Sequence, residues 1–315
     1  MIYTVTLNPS LDYVARVSEL KPGNLHRMEA EELYVGGKGI NVTTVLRQLD
    51  TDSLILGFIA GFTGREIENR LHQRGIPTAF ITASEGLSRI NIKLKSEQAV
   101  ETEINGQGPV ITMKELEILY QSLGRLQDGD ILVLSGSVPT SIKNRDHTYA
   151  DICDHLKNRR LKLIVDAEGQ LLRNTLSYRP FLIKPNRQEL EGLFQRSLPT
   201  EESILYCAKQ LQAEGAQNVL VSLAGEGALL LNSHGGVIRQ RAPQGKVFHS
   251  VGAGDALVAG FLFGLLKSGK DSLSEDYHEE DYERALKYGV AAGSAAAFTE
   301  GLPRRDKIQE LFLSL

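Results

Sequence analysis

Two periods of apolar and polar residues alternate along the chain. Short apolar runs rich in β-branched residues occur at Ile2 to Leu7, Leu54 to Ile59, Ile131 to Leu134, Leu161 to Val165, Phe181 to Ile183 and Val219 to Leu223, the pattern of strands buried on both faces. Between them Val42, Val45, Leu46 and Leu49 recur at i, i+3, i+4 and i+7, and Leu116, Leu119, Tyr120 and Leu123 repeat the spacing, so each set lines one helix face. This alternation predicts an α/β fold, a mostly parallel central sheet with helices on both faces. One region departs from it: Ile90-Asn91-Ile92-Lys93-Leu94-Lys95 alternates strictly, and Thr102-Glu103-Ile104-Asn105 continues in the same style. Period two implies one buried and one wet face. With Tyr13 to Val17 and Leu33 to Val35 it predicts a small projecting antiparallel sheet, its strands within residues 12–36 and 88–108. Such a sheet serves as a lid or a homodimer surface, the alternative being a peripheral sheet without a catalytic part. No internal repeat, low-complexity tract or Pro/Ser-rich linker divides the chain, which predicts one domain over residues 1–315.

Composition narrows the function classes. With 42% hydrophobic and 23% charged residues, the 315-residue chain has the balance of a soluble protein with a sizeable core. A net charge of -4 without a dense Lys/Arg block argues against nucleic acid or anionic lipid as partner. The two cysteines have neither metal-site nor disulfide-scaffold spacing, and the opening reads as a strand rather than a leader, so a cytoplasmic location is expected. The later apolar stretch from Val251 to Leu266 carries Asp255 and four glycines and is too short and polar to span a membrane. The seven histidines show no metal-site or triad spacing.

Four segments carry candidate chemistry. In Val251-Gly252-Ala253-Gly254-Asp255 two glycines lead into an apolar helical run, so backbone N–H groups at a helix start form an anion site with a carboxylate beside it. Asp255 there can take a hydroxyl proton while the amides of Gly252, Ala253 and Gly254 stabilise a transferring phosphoryl group; the plainer alternative is a helix cap after a glycine turn. In Lys184-Pro185-Asn186-Arg187-Gln188-Glu189, Asn186 and Glu189 share a face of a first helical turn, where they either hold the waters of a magnesium ion or form a capping box. Ser222-Leu223-Ala224-Gly225-Glu226-Gly227 follows a strand and fits either close approach to a nucleotide or an ordinary hairpin turn. Gly36-Gly37-Lys38-Gly39-Ile40-Asn41 again leads from glycines into a helix, but it is not a Walker A loop, because Lys38 is followed by Gly39.

Taken in order along the chain, these segments, with the opening Thr6-Leu7-Asn8-Pro9-Ser10-Leu11-Asp12 and with Ser135-Gly136-Ser137-Val138-Pro139, resemble the ribokinase-like (PfkB) carbohydrate kinases essentially end to end. The opening and the Gly-Gly-Lys-Gly form look like the phosphosugar branch, especially bacterial 1-phosphofructokinases, with tagatose-6-phosphate kinases close behind. The resemblance implies a three-layer α/β/α fold with a projecting β lid, ATP and Mg2+ as cofactors, and a phosphosugar as partner. By similarity Asp255 is the base, Gly252, Ala253 and Gly254 the anion hole, and Asn186 with Glu189 the magnesium organisers through water. Lys184, Ser222, Leu223, Ala224, Gly225, Glu226, Gly227 and Gly254 would face the nucleotide. Asp12, Gly37, Lys38, Asn41, Arg89 and Ser137 would hold the sugar, with Lys38 and Arg89 on its phosphate. Three departures stand out: Ala224 where the family often has glycine, Ala256 where serine is frequent, and Asp166-Ala167-Glu168-Gly169 in place of a smaller Ser/Thr-containing run.

The implied reaction is fructose 1-phosphate plus ATP to fructose 1,6-bisphosphate and ADP, with tagatose 6-phosphate and then fructose 6-phosphate as rival acceptors. Lys38 and Arg89 speak against a nucleoside or vitamin kinase, whose uncharged acceptor needs no phosphate clamp. Asp255, Asn186 and Glu189 together speak against a sugar-phosphate-binding regulator without catalysis.

Overall fold

Thirteen strands are present among the described residues: β1 (Ile2–Thr6), β2 (Ser10–Val17), β3 (Ala30–Gly36), β4 (Ser53–Ala60), β5 (Thr78–Ala83), β6 (Arg89–Ser96) and β7 (Glu101–Asn105) in the first half. The second half adds β8 (Ile131–Ser135), β9 (Lys162–Asp166), β10 (Leu182–Ile183), β11 (Asn218–Ser222), β12 (Ala228–Leu231) and β13 (Val237–Gln240). The computed structural model describes residues 1–21, 23–96, 101–270, 274 and 277–315; Pro22 and residues 97–100 of the two expected lid segments lie outside them.

Nine strands form one sheet in the order β13-β12-β11-β10-β9-β8-β1-β4-β5, parallel except for the antiparallel β11-β12-β13 edge. All six strands expected from apolar runs lie in it. Successive residues of a strand point to opposite faces, and they enter two cores. Leu132 and Leu134 pack with Leu116, Leu119 and Leu123 of the helix Met113–Leu123, while Ile131 and Val133 pack with Val42, Val45 and Leu46 of the helix Lys38–Gln48. Each such buried aliphatic side chain contributes about 1.5–3 kcal/mol. The second core also receives the helix Ala253–Leu266, apolar all round because it is packed against the helix Glu279–Ala297. A Cβ at Gly260 would lie 2.4 Å from the Tyr288 carbonyl oxygen, so this close crossing requires glycine.

From β1 the chain fills one side of the sheet with β4 and β5, then returns to the other side of β1 with β8 and β9. The strand order therefore reverses between β1 and β8, and the crevice beyond their carboxyl ends is where open α/β sheets bind ligands.

The other four strands form a side sheet in the order β3-β2-β6-β7. Its β2-β3 and β6-β7 pairs are antiparallel, as the alternation implied, whereas the central β2-β6 pair runs parallel. The cause is connectivity: β2 and β6 both leave the carboxyl edge of the central sheet, after β1 and β5, and travel in the same sense. Of its two unlike faces, the one that carries the polar residues of β6 is the buried one. Asn91 and Lys93 are buried, while Ile90 and Ile104 are 42% and 55% exposed.

Candidate active site

A cavity of about 410 Å3 occupies the crevice beyond β1, β8 and β9. Gly37, Lys38, Arg89 and Ser137, four residues expected on the sugar side, line it. Asp12 is tied to Arg89's strand, its Oδ1 accepting from Ser10 Oγ at 2.7 Å and Asn91 Nδ2 at 2.9 Å, with Lys93 Nζ 3.6 Å from its other oxygen. Arg89 is oriented by Nε donating to the Asn8 carbonyl at 3.0 Å. Burial lowers the pKa of this guanidinium, with the Asp12 charge acting in the opposite sense.

Asp255 and Asn41 lie outside the lining of that cavity but pair with each other, Asn41 Nδ2 donating to Asp255 Oδ2 at 2.7 Å. The pairing follows from helix geometry: Asn41 lies in the first turn of Lys38–Gln48 and Asp255 in the first turn of Ala253–Leu266. Gly252, at φ +77°, provides the left-handed turn that opens the second helix, with Ala253 and Gly254 as its first residues. Burial, then the nearby Asp166 charge, pushes the Asp255 carboxyl up to about 6, against the opposing pull of Lys38, Asn41 and Lys184.

Asp166 is the residue that sequence reasoning did not assign. Fully buried at the end of β9, its Oδ1 lies 3.0 Å from Lys38 Nζ and 3.3 Å from Lys184 Nζ. Although burial alone would raise its pKa, the two ammonium groups hold the carboxyl below its usual range. Lys38 is the converse case: burial works against its charge, yet Asp166, Glu189 and Asp255 hold its pKa above the usual range. The available signal for Asp166 was a charged residue closing an apolar run at the carboxyl end of a parallel strand, where ligands bind.

Asn186 and Glu189 form a reciprocal capping box on the helix Arg187–Phe194: Asn186 Oδ1 accepts from the Glu189 N–H, and Glu189 Oε2 from the Asn186 N–H. This is the alternative that the sequence left open, and it leaves Glu189 Oε1 facing Lys38 Nζ at 3.6 Å. Residues 222–227 form the turn between β11 and β12, bound to this helix start through the Ser222 N–H to the Pro185 carbonyl and Arg187 to Glu226. Within it Ala224 has φ +49°, which explains the preference for glycine there. Leu223 is buried, its N–H donating to the Gly227 carbonyl across the turn, and Gly225 follows Ala224 in the short 3-10 segment. A Cβ on Gly254 would lie 3.5 Å from Lys184 Nζ, so that ammonium stands at the start of Asp255's helix.

The pfkB family carbohydrate kinase signature matches residues 5–304. The chain belongs to this family. This carbohydrate kinase is 40% identical over 311 residues to the 1-phosphofructokinase of Bacillus subtilis, covering 99% of this chain and 97% of that one. It is 37% identical over 311 residues to the D-tagatose-1-phosphate kinase of Bacillus licheniformis, with 98% and 97% covered. Phosphofructokinase-2 of Escherichia coli, solved in complex with substrates and products, superposes with a TM-score of 0.89 at 28% identity over 100% of this chain and 99% of that one. The ribokinase-like fold implied by the sequence is thus the fold of this kinase. No helix among the described residues is long and apolar enough to cross a membrane.

Proposed function

We propose that this carbohydrate kinase is a cytoplasmic 1-phosphofructokinase working as one domain over residues 1–315, which transfers the γ-phosphoryl group of ATP to the C6 hydroxyl of fructose 1-phosphate. The observation that carries the chemistry is Asp255: a buried carboxyl at a helix start, hydrogen-bonded to Asn41, with a pKa raised to about 6. A base of that strength is ionised at neutral pH yet accepts a proton readily. It takes the C6 hydroxyl proton as the oxygen bonds to phosphorus and the bond to the ADP oxygen breaks, while Gly252, Ala253 and Gly254 offer N–H groups to the transferring group. Lys184 and the 222–227 turn are assigned to the nucleotide, and Asp12, Gly37, Asn41, Arg89 and Ser137 to the sugar. Lys38, paired with Asp166 and Glu189, is assigned to the boundary between them.

The oxygen donors suit a magnesium ion held mainly through water, because Glu189 Oε1 remains after capping and Asp166 Oδ2 finds no hydrogen-bond partner among the described residues. Magnesium bound there by Asn186 and Glu189 would neutralise phosphate charge. The outer face of the side sheet, with Ile90 and Ile104, is assigned to a second copy of the chain; sedimentation at monomer mass would remove that assignment.

The B. licheniformis relative makes tagatose 1-phosphate the second reading, ahead of tagatose 6-phosphate. Measuring kcat/KM with ATP and magnesium for both fructose and both tagatose monophosphates, and for free fructose, tests the assignment. Fructose 1-phosphate is expected first, with all activity lost on chelation. Preference for a 6-phosphate overturns the acceptor; no turnover on any of them overturns the kinase reading in favour of a binding regulator.

A further inference from the structure

Arg89, the first residue of β6, reaches the cavity from the side sheet, and among the described residues its guanidinium makes a single hydrogen bond to the protein, from Nε to the Asn8 carbonyl. The terminal nitrogens are left for a ligand. A long side chain held at one point keeps its aim only if that point is fixed. What fixes Asn8 is the segment 106–109, which leads from β7 towards the helix Met113–Leu123. Asn8 Nδ2 donates to the Gln107 carbonyl at 3.2 Å. Gly108, at φ +96°, closes on the same amide, and a Cβ there would lie 2.1 Å from Asn8 Oδ1, so the contact requires glycine.

This strap is tied at both ends. At the side sheet the Gly106 N–H donates to Asn91 Oδ1 at 3.3 Å, and a Cβ on Gly106 would lie 2.9 Å from Arg89 Cβ. At the other end Ser141 Oγ, beyond β8, donates to the Pro109 carbonyl and accepts from the Ile111 N–H, each at 3.0 Å. One short piece of chain thus lies against the stem of Arg89 and grips the residue whose carbonyl orients its fork. We propose that Asn8 is a positioning residue for Arg89: bound to the 106–109 strap, it holds the carbonyl that aims the guanidinium and so governs recognition of the acceptor's phosphate through Arg89. The inference rests on the assignment of Arg89 to that phosphate. A strap that only closed the edge of the sheet would contribute stability and leave the preference among acceptors unchanged. A strap that aims Arg89 must alter that preference, because a displaced guanidinium loses its bonds to phosphate and nothing else.

The test is a double-mutant cycle of Asn8→Ala and Arg89→Ala, with kcat and KM measured for fructose 1-phosphate, free fructose and ATP. In Asn8→Ala the KM for fructose 1-phosphate should rise about five- to tenfold with kcat held, a part of what loss of the guanidinium itself costs, while free fructose and ATP are handled as by wild type. In the Arg89→Ala background the same change should add less than about twofold, because a residue that acts through Arg89 then has nothing left to aim. Should Asn8→Ala fail to fold by thermal melting, Gly106→Ala, which displaces the strap from its side-sheet end, carries the same expectation in both backgrounds. An unchanged KM for fructose 1-phosphate, losses that multiply in the double variant, or losses that fall equally on free fructose overturn the positioning role and leave Arg89 as the phosphate clamp. Arg89→Ala enzyme that keeps its full preference for the phosphorylated sugar removes the clamp, and the positioning role with it.

Discussion

In the central sheet polar side chains around the cavity stand singly at strand ends, whereas in the side sheet they occupy much of one face. Thr6, Ser135 and Asp166 end β1, β8 and β9, and the residues just before them, Val5, Leu134 and Val165, are apolar and buried in a core. In the side sheet Asp12 is in register with Asn91 and bonded to it, with Lys93 two residues on, so that neighbouring strands hold one another's polar groups. The first arrangement fixes each group through a close-packed core that transmits any displacement. The second fixes a set of groups through bonds among themselves. Substitutions of the carboxylates on the central side, Asp166 and Asp255, should therefore disable transfer to every acceptor, and that of Arg89 on the side sheet should discriminate between phosphorylated and free acceptors.

Asp255→Asn gives the largest effect. Turnover is expected to fall by about two to four orders of magnitude on phosphorylated and free sugars alike, with the melting temperature little changed. In wild type the base must be ionised, and its raised pKa of about 6 means kcat/KM should climb with pH through that value and level off above it. Turnover of the variant within a few-fold of wild type, or a loss confined to phosphorylated acceptors, breaks the distinction between the two regions.

Arg89→Ala should be next in size and selective. Removing a charged hydrogen-bond donor from a phosphate costs about 1.5–3 kcal/mol, roughly tenfold to 150-fold in kcat/KM. The loss should appear with fructose 1-phosphate and nearly vanish with free fructose. Equal losses on both would move Arg89 out of acceptor recognition and make it a support for the Asn8 backbone it already holds.

The strands of the central sheet were legible because burial on both faces leaves a continuous apolar run. The edge strands β5 and β13, and β12 beside β13, escaped notice: β5, Thr78 to Ala83, mixes partly exposed residues with a single buried one, and β12 and β13 are four residues each. In the side sheet the alternation was read correctly as two unlike faces, but period two does not say which face is wet. Water is not the only polar surroundings available, and here Asn91 and Lys93 turn towards Asp12 while Ile90 and Ile104 face outwards. Around the site, Asp255 and Asn186 with Glu189 were legible because glycine turns and helix starts are local signals. Asp166 was not, because its partners Lys38 and Lys184 are remote in sequence and only the order of strands brings them to it.

Lys38 stands where the two regions join, just beyond β3 of the side sheet and at the start of the helix packed on the central sheet. Its sequence suggested a clamp on the sugar phosphate, like Arg89. Its contacts suggest the other side, because Nζ lies against Asp166 and Glu189 and its charge stabilises the ionised form of Asp255. In Lys38→Met that stabilisation is lost, so the Asp255 pKa should rise further above its already raised value. A higher pKa leaves less ionised base at a given pH below the plateau, and the acidic limb of the kcat/KM profile should move to higher pH. The displacement should be less than about one unit, since one unit is about 1.4 kcal/mol and Lys184 continues to act on the same carboxyl. Any loss on the plateau should be similar for fructose 1-phosphate and free fructose, which assigns Lys38 to the transfer chemistry. An unmoved limb with a loss confined to the phosphorylated sugar would instead group Lys38 with Arg89, and the boundary between the two regions would then fall inside the helix Lys38–Gln48, between Lys38 and Asn41.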